Sequence, residues 1–181
     1  LFGITVVMHH PEEHINDIDK QISAVTGQYL SGYTCFEYIA DDGQSDRWDD
    51  MPLQLFFDGP MPLSIAWSHF DNLWCKIGTE LPFDPGENYR KCNNHGIREV
   101  EPLIGQKICS FYLGKGQMTI EDRDVEIWTR LLLCFEGGQY LEIYNKLDEN
   151  GYMHHKQMPN GDWINAEQVA QRDDASRRPL A

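Results

Sequence analysis

The stretch "LLLCFEGGQYLEIYNKLDENG" (131–151) reads as a second version of "LQLFFDGPMPLSIAWSHFDN" (53–72). Displaced by 78 positions, Leu53 falls on Leu131, Leu55 on Leu133, Phe57 on Phe135, Gly59 on Gly137, Leu63 on Leu141, Ile65 on Ile143 and Asn72 on Asn150. The same displacement carries Gly27-Gln28 onto Gly105-Gln106 and Asp46 onto Asp124, so ten of the 46 positions from 27 to 72 are identical. About three matches are expected from average composition. The matches fall on alternating apolar positions and turn glycines, where a β-fold needs them, and conservative pairs such as Leu30/Ile108 and Tyr33/Phe111 extend the pattern.

Each copy has a readable shape. In the second, "GQKICSFYL" is strand-like, and "VEIWTRLLLCF" places Val125, Ile127, Leu131, Leu133 and Phe135 at period-two spacing, the mark of a half-buried strand. The glycines of "EGGQ" supply the positive φ of a tight hairpin, and "YLEIYNKL" returns with Leu141 and Ile143 in phase. "DENG" reads as the turn that ends the unit. The first copy repeats this with "GQYLSGYTCFEYI", "MPLQLFF" and "PLSIAW", where Pro60 and Pro62 predict an edge or a bulge. Before it, Pro11, Glu12 and Glu13 suit a helix start, Ile15, Ile18, Ile22 and Val25 recur at helical spacing, and Gly27 ends the helix.

The expected fold is therefore α+β and predominantly antiparallel β, an internal duplication of a three-stranded meander with a short N-terminal helix. The first repeat unit spans 22–77 and the second 97–152, within one domain 1–181 that ends in a polar C-terminal extension, 153–181. A meander of about 50 residues buries too little surface to stand alone, which predicts one shared core. "LPFDPGENYRKCNNHG" reads as connector.

With 15 basic and 29 acidic residues the chain carries −14, and its pI is near 4.7. Such a surface repels phosphate backbones and anionic bilayers, so neither nucleic acid nor membrane is an expected partner. A basic protein is attracted and steered. The first residues lack a basic leader and a small-residue cleavage site, so no signal peptide is expected. The five cysteines show no dense framework, which points to a reducing cytoplasm.

Catalytic motifs are sparse. No GxSxG, P-loop, GxGxxG, HExxH or EF-hand pattern occurs, and no cofactor is expected. Cys92 and His95 are close in sequence, but proximity alone supplies no activated thiolate. "HHPEEH" offers His9, His10 and His14 as metal-ligand candidates, with His10 and His14 four apart on one helical face, and His154-His155 is a second pair in a polar segment. The charge runs "DDGQSDRWDD" (41–50) and "EDRDVE" (121–126) occupy near-equivalent places in the two copies. They predict a pair of acidic lobes for a basic partner, comprising Asp41, Asp42, Asp46, Asp49 and Asp50 around Trp48, with Glu121, Asp122 and Asp124 in the second.

The cassette "VEPLIGQKI" followed by "LCFEGGQYLEIYNKLDENG" resembles small bacterial β-rich proteins, some of them immunity-protein-like, over about 100–150 and more faintly 22–72. Its motifs are structural, so the resemblance implies a fold and a class but assigns no functional residue. The Pro-interrupted hairpin at 58–62 departs from it. The leading expectation is a non-enzymatic acidic protein, monomer or homodimer, that occludes a basic partner, most concretely an immunity protein masking a toxin. The alternatives are a small-molecule or metal-dependent enzyme with a pocket between the repeats, and a homodimeric structural subunit.

Overall fold

The computed structural model describes residues 11–69, 71–120 and 122–176. Helix α1 (Pro11–Ser23) buries Ile15, Ile18 and Ile22 on one face, as the spacing predicts, with Val25 continuing the stripe past its end. Six strands form the first antiparallel sheet: β1 (Gly32–Ile39), β2 (Ser45–Arg47), β3 (Leu53–Phe56), β4 (Leu63–Ser68), β5 (Asn72–Ile77) and β6 (Tyr89–Asn93). Their order is β2-β1-β3-β4-β5, with β6 paired to β1. The second sheet contains β7 (Ile108–Ile120), β8 (Arg123–Phe135), β9 (Gln139–Asn145), β10 (Asn150–His155) and β11 (Trp163–Ile164), in the order β10-β9-β8-β7-β11. Helix α2 (Ala166–Ser176) follows. The fold is α+β with antiparallel sheets predominating.

The strand registers of the two halves run in parallel. Tyr33 faces Leu55 and Leu53 faces Ile65 in the first sheet. Phe111 faces Leu133 and Leu131 faces Ile143 in the second, each partner displaced by the same 78 positions. The halves meet where Tyr29 bridges Lys107 in antiparallel sense. There the Gly27 N–H donates to the Ile108 carbonyl at 2.8 Å and the Gly105 N–H donates to the Leu30 carbonyl at 2.7 Å, and the Leu30 and Ile108 N–H groups reach Gln106 and Gln28 in the same reciprocal way. Gly27 and Gly105 both have φ of 84°, a left-handed conformation in which a Cβ is strained.

Three sequence expectations need correction. Each half carries four strands in series, not three, because β5 and β10 extend the meander beyond the turn that was expected to close it. Both begin on the paired asparagines Asn72 and Asn150, but the last register slips by one: Leu63 faces Ile77, whereas Leu141 faces His154. Pro60 and Pro62 precede β4, a central strand, so they interrupt no ladder and mark no edge. Finally, the connector contributes β6, and the C-terminal extension is folded over the second sheet, with Ile164 and Val169 buried.

Odd-numbered positions of β1, β3, β4, β8 and β9 point into one apolar cluster. It joins Tyr33, Leu53, Leu55, Leu63, Ile65 and Trp67 to Phe111, Leu131, Leu133, Leu141 and Ile143, and it takes in the α1 stripe. Trp67 is central, its indole N–H donating to the Ile143 carbonyl at 2.9 Å. The interior is not wholly apolar. Asn150 is 0% exposed, and its amide oxygen accepts the Trp67 backbone N–H at 2.9 Å while its amide nitrogen donates to the Ile65 carbonyl at 3.0 Å and the Met51 carbonyl at 3.4 Å. Its own backbone N–H donates to the Asp49 carbonyl at 2.9 Å. A buried polar group is tolerated only when its partners replace water. Asn150 meets that condition by tying the second sheet to the first.

Candidate functional site

The halves part company in the arm that follows their first strand. In the second half, β7 and β8 form one long hairpin, interrupted by single-residue shifts between Ile108 and Ser110 and between Gly114 and Lys115. In the first half, the register passes from Thr34↔Gln54 to Glu37↔Arg47, so β1 advances three residues while its partner strand covers seven. The surplus is an excursion, Trp48–Pro52, between β2 and β3. A bulge of this kind turns side chains out of the sheet while the backbone stays tethered. Here the Trp48 N–H still donates to the Phe36 carbonyl at 2.8 Å. Asp49 and Met51 offer their carbonyls inward to Asn150.

The excursion presents Trp48 on an aromatic ledge. Its ring lies 5.7 Å from Tyr38, edge-on at 79°, and 5.7 Å from Phe83, tilted at 59°. Tyr38 and Phe83 are 44% and 40% exposed. Beneath them Phe36 is buried and packs against Tyr89. The Trp48 indole N–H donates to Asp50 Oδ2 at 3.0 Å, which fixes the carboxylate beside the ring.

Charge around the ledge is unbalanced. Segments 36–50 and 83–91 hold eight carboxylates (Glu37, Asp41, Asp42, Asp46, Asp49, Asp50, Asp84, Glu87) against Arg47, Arg90 and Lys91. Arg47 is spent on Asp49, at 2.7 Å, and on the Gly96 carbonyl. Arg90 donates to Glu37 at 2.7 Å and to Ser45, and this hydrogen bond holds the Glu37 carboxyl below its usual range. Asp41, Asp42 and Asp46 stand exposed, and Asp50 is half-buried against Trp48. The predicted first lobe is thus one surface, with Asp49 turned to an internal pairing.

The second lobe differs. Asp122, at φ 59°, sits in the tight turn between Ile120 and Arg123. Asp124 is exposed and accepts from the Thr119 hydroxyl at 2.9 Å. Glu121 lies outside the described residues. Because the chains cross antiparallel at the Tyr29–Lys107 bridge, the two arms leave it in opposite directions. The two arms therefore point apart, and among the described residues the aromatic ledge stands on the first.

His9 and His10 also lie outside the described residues. His14, on α1, lines a cavity with Ile18, Trp67, Asp71, Leu73, Leu113 and Trp128, between the two halves. That cavity measures about 10 Å³, room for about one water. Among the described residues, no three His, Cys, Asp or Glu side chains converge to hold a metal ion. His154 and His155 lie in β10 rather than in a segment beyond the fold. His154 meets Gln139 Oε1 at 2.7 Å, and burial depresses its pKa. His155 meets Glu142, itself 2% exposed and paired with Arg130 at 2.6 Å.

The cysteines are free thiols. Burial pushes Cys35 up to about 11 and Cys75 up to about 12, which suppresses thiolate chemistry. His95 gives a cysteine its carbonyl rather than its ring, and that cysteine is Cys35.

Tyr38, Phe83 and Asn150 are the residues that reading by sequence passed over. Phe83 gave a signal: an aromatic inside the polar "LPFDPGENY" segment needs something to pack on. No family model, characterised protein or solved structure matches the chain.

Proposed function

We propose that this chain is a non-enzymatic binding protein whose acidic ledge occludes a basic protein partner, most concretely as an immunity protein that covers a toxin's active surface. One observation carries the reading: a half-buried Trp48 is flanked by the exposed rings of Tyr38 and Phe83 and set among eight carboxylates that outnumber the three local cations. Tight interfaces concentrate their energy in such aromatic anchors, and surrounding charge steers encounter and selects partners. Acidic loops collect the basic surface, and the ledge supplies residence once water is expelled.

The same reading explains the asymmetry. We infer that the two halves descend from one duplicated unit, a view supported by the matched registers and the reciprocal hydrogen bonds at Gly27 and Gly105. The shared elements serve as scaffold. The Trp48–Pro52 excursion belongs to one half alone and is therefore the place to seek specificity. The free thiols accord with a reducing cytoplasm. An enzyme with its pocket between the halves draws less support, since the cavity there holds about one water.

The test is capture from an extract of the cells that make the protein, at low and at moderate salt. A stoichiometric basic partner is expected, weakened by salt and by Asp41→Asn/Asp42→Asn/Asp46→Asn, with its own activity suppressed in the complex. A captured protein that remains active, or that ignores both salt and the triple substitution, refutes occlusion by this surface.

A further inference from the structure

We propose that the corner between the Trp48 indole and the Asp50 carboxylate is a receptor for an arginine guanidinium presented by the partner. This rests on the basic-partner reading above and narrows it to one side-chain chemistry at one place.

The chain contains the completed form of such a corner. On the second sheet, the Arg130 guanidinium carbon lies 4.4 Å from the centroid of the Trp163 ring, and its Nε donates to Glu142 Oε1 at 2.6 Å. The cation has an aromatic face on one side and a carboxylate in its donor plane. A guanidinium suits both at once, because it is flat, weakly hydrated and donates in plane, whereas an ammonium does not stack.

Trp48 and Asp50 offer the indole and the carboxylate without the cation. Asp50 spends Oδ2 on the indole N–H, and no described group donates to its Oδ1. Among the described residues, no lysine or arginine lies over the Trp48 ring. The cations nearby are committed: Arg47 to Asp49, Gly96 and the Tyr152 ring, Arg90 to Glu37 and Ser45, and Lys91 over Phe36. Tyr38 and Phe83 pack against the indole at steep angles, and Trp48 keeps part of its surface open to solvent. Exposed Asp41, Asp42 and Asp46 add field of the matching sign.

The test uses the whole chain with ¹⁵N-labelled indoles. Trp48→Phe identifies the Trp48 indole resonance, and the remaining resonances show that this variant is folded. Three blocked tripeptides, Gly-Arg-Gly, Gly-Lys-Gly and Gly-citrulline-Gly, are titrated at about 0.1 M salt, where distant charge is screened. The arginine peptide is expected to move the Trp48 indole saturably. Citrulline, which has the shape without the charge, is expected to bind about tenfold more weakly, and Asp50→Asn to cost a similar factor. Equal binding of citrulline makes the ledge merely apolar, equal binding of lysine removes the guanidinium preference, and no movement with arginine removes the receptor. Each of these overturns the proposal. The two readings fail separately. A captured partner indifferent to Trp48→Phe and Asp50→Asn sinks the receptor while leaving occlusion standing. An arginine response in a chain that captures nothing does the reverse.

Discussion

Asn150→Ala should be among the most damaging single substitutions of a polar residue in this chain. It strips the acceptor from the Trp67 N–H, a donor inside the shared core, and an orphaned buried donor costs roughly 1–3 kcal/mol. It also removes the donor to Ile65 and Met51, worth about 0.5–1.5 kcal/mol each, with the smaller figure apt for carbonyls that have a second lone pair. The Asn150 backbone bond to Asp49 survives. The total is about 3 kcal/mol, a large share of the roughly 5–15 kcal/mol that holds a domain together. With a urea dependence of roughly 2 kcal/mol/M, the unfolding midpoint should fall by about 1.5 M. The molecule supplies its own control, because Asn72 is the same residue at the matched position, exposed, with its side chain bonded only to the Ser68 hydroxyl among the described partners. Asn72→Ala should cost less than about 0.5 kcal/mol. Asn150→Asp, nearly isosteric, should cost more than Asn150→Ala at neutral pH, since it turns a charged oxygen toward two carbonyls. A midpoint for Asn150→Ala within about 0.5 M of wild type, or equal losses at 72 and 150, would refute the view that this amide binds the sheets together.

Two further predictions concern pH and packing. Stability should be greatest between about pH 7 and pH 9. Below that range the unfolded chain takes up protons more readily than the folded one, first at His154, depressed from 6.5 by burial, and then at Glu37, depressed from 4.5 by Arg90. Above it, the folded chain keeps thiol protons that the unfolded chain releases near 9.0, because Cys35 and Cys75 are raised to about 11 and about 12. Urea midpoints that rise above pH 9, or an alkaline limb no shallower in Cys75→Ala, would contradict this. Gly114→Ala should drive a methyl group into the Trp163 ring, loosen its stacking on Arg130 and release α2, at a cost of roughly 1–3 kcal/mol. Hydrogen exchange over 166–171 should accelerate, and unchanged protection there would show that Trp163 does not hold the C-terminal segment.

The α1 stripe, the β3–β4 and β8–β9 hairpins and the bridging glycines were all legible because each is written in a local period or a turn residue. β5 was legible in part. Leu73, Cys75 and Ile77 alternate, but the turn before them resembles an ending. β10 was not, since "NGYMHH" has no apolar alternation; its strand character comes from pairing with β9 and from covering a core made elsewhere. β6, "YRKCN", is mostly exposed and exists because β1 has a second edge to satisfy.

The ledge was hidden for a more particular reason. Opposite β1 and β7, Arg47 and Trp128 occupy corresponding places, a separation of 81, whereas β3 and β8 correspond at 78. The first arm is therefore three residues shorter at its tip than the second, and the Trp48–Pro52 excursion is three residues longer than its counterpart. The two differences cancel, so an ungapped displacement passes straight through the region and matches Asp46 with Asp124, residues that do not correspond in the strand ladders. Identity at that pair carried no structural meaning, while the absence of a partner for Trp48 carried a great deal. The excursion is held from within by Asn150, which the displacement did match, to an asparagine with a different task. Two halves of matched register hide their specialised parts best where loss and gain are equal in length, and strand register, which is set by backbone hydrogen bonds rather than side-chain identity, is the property that exposes them.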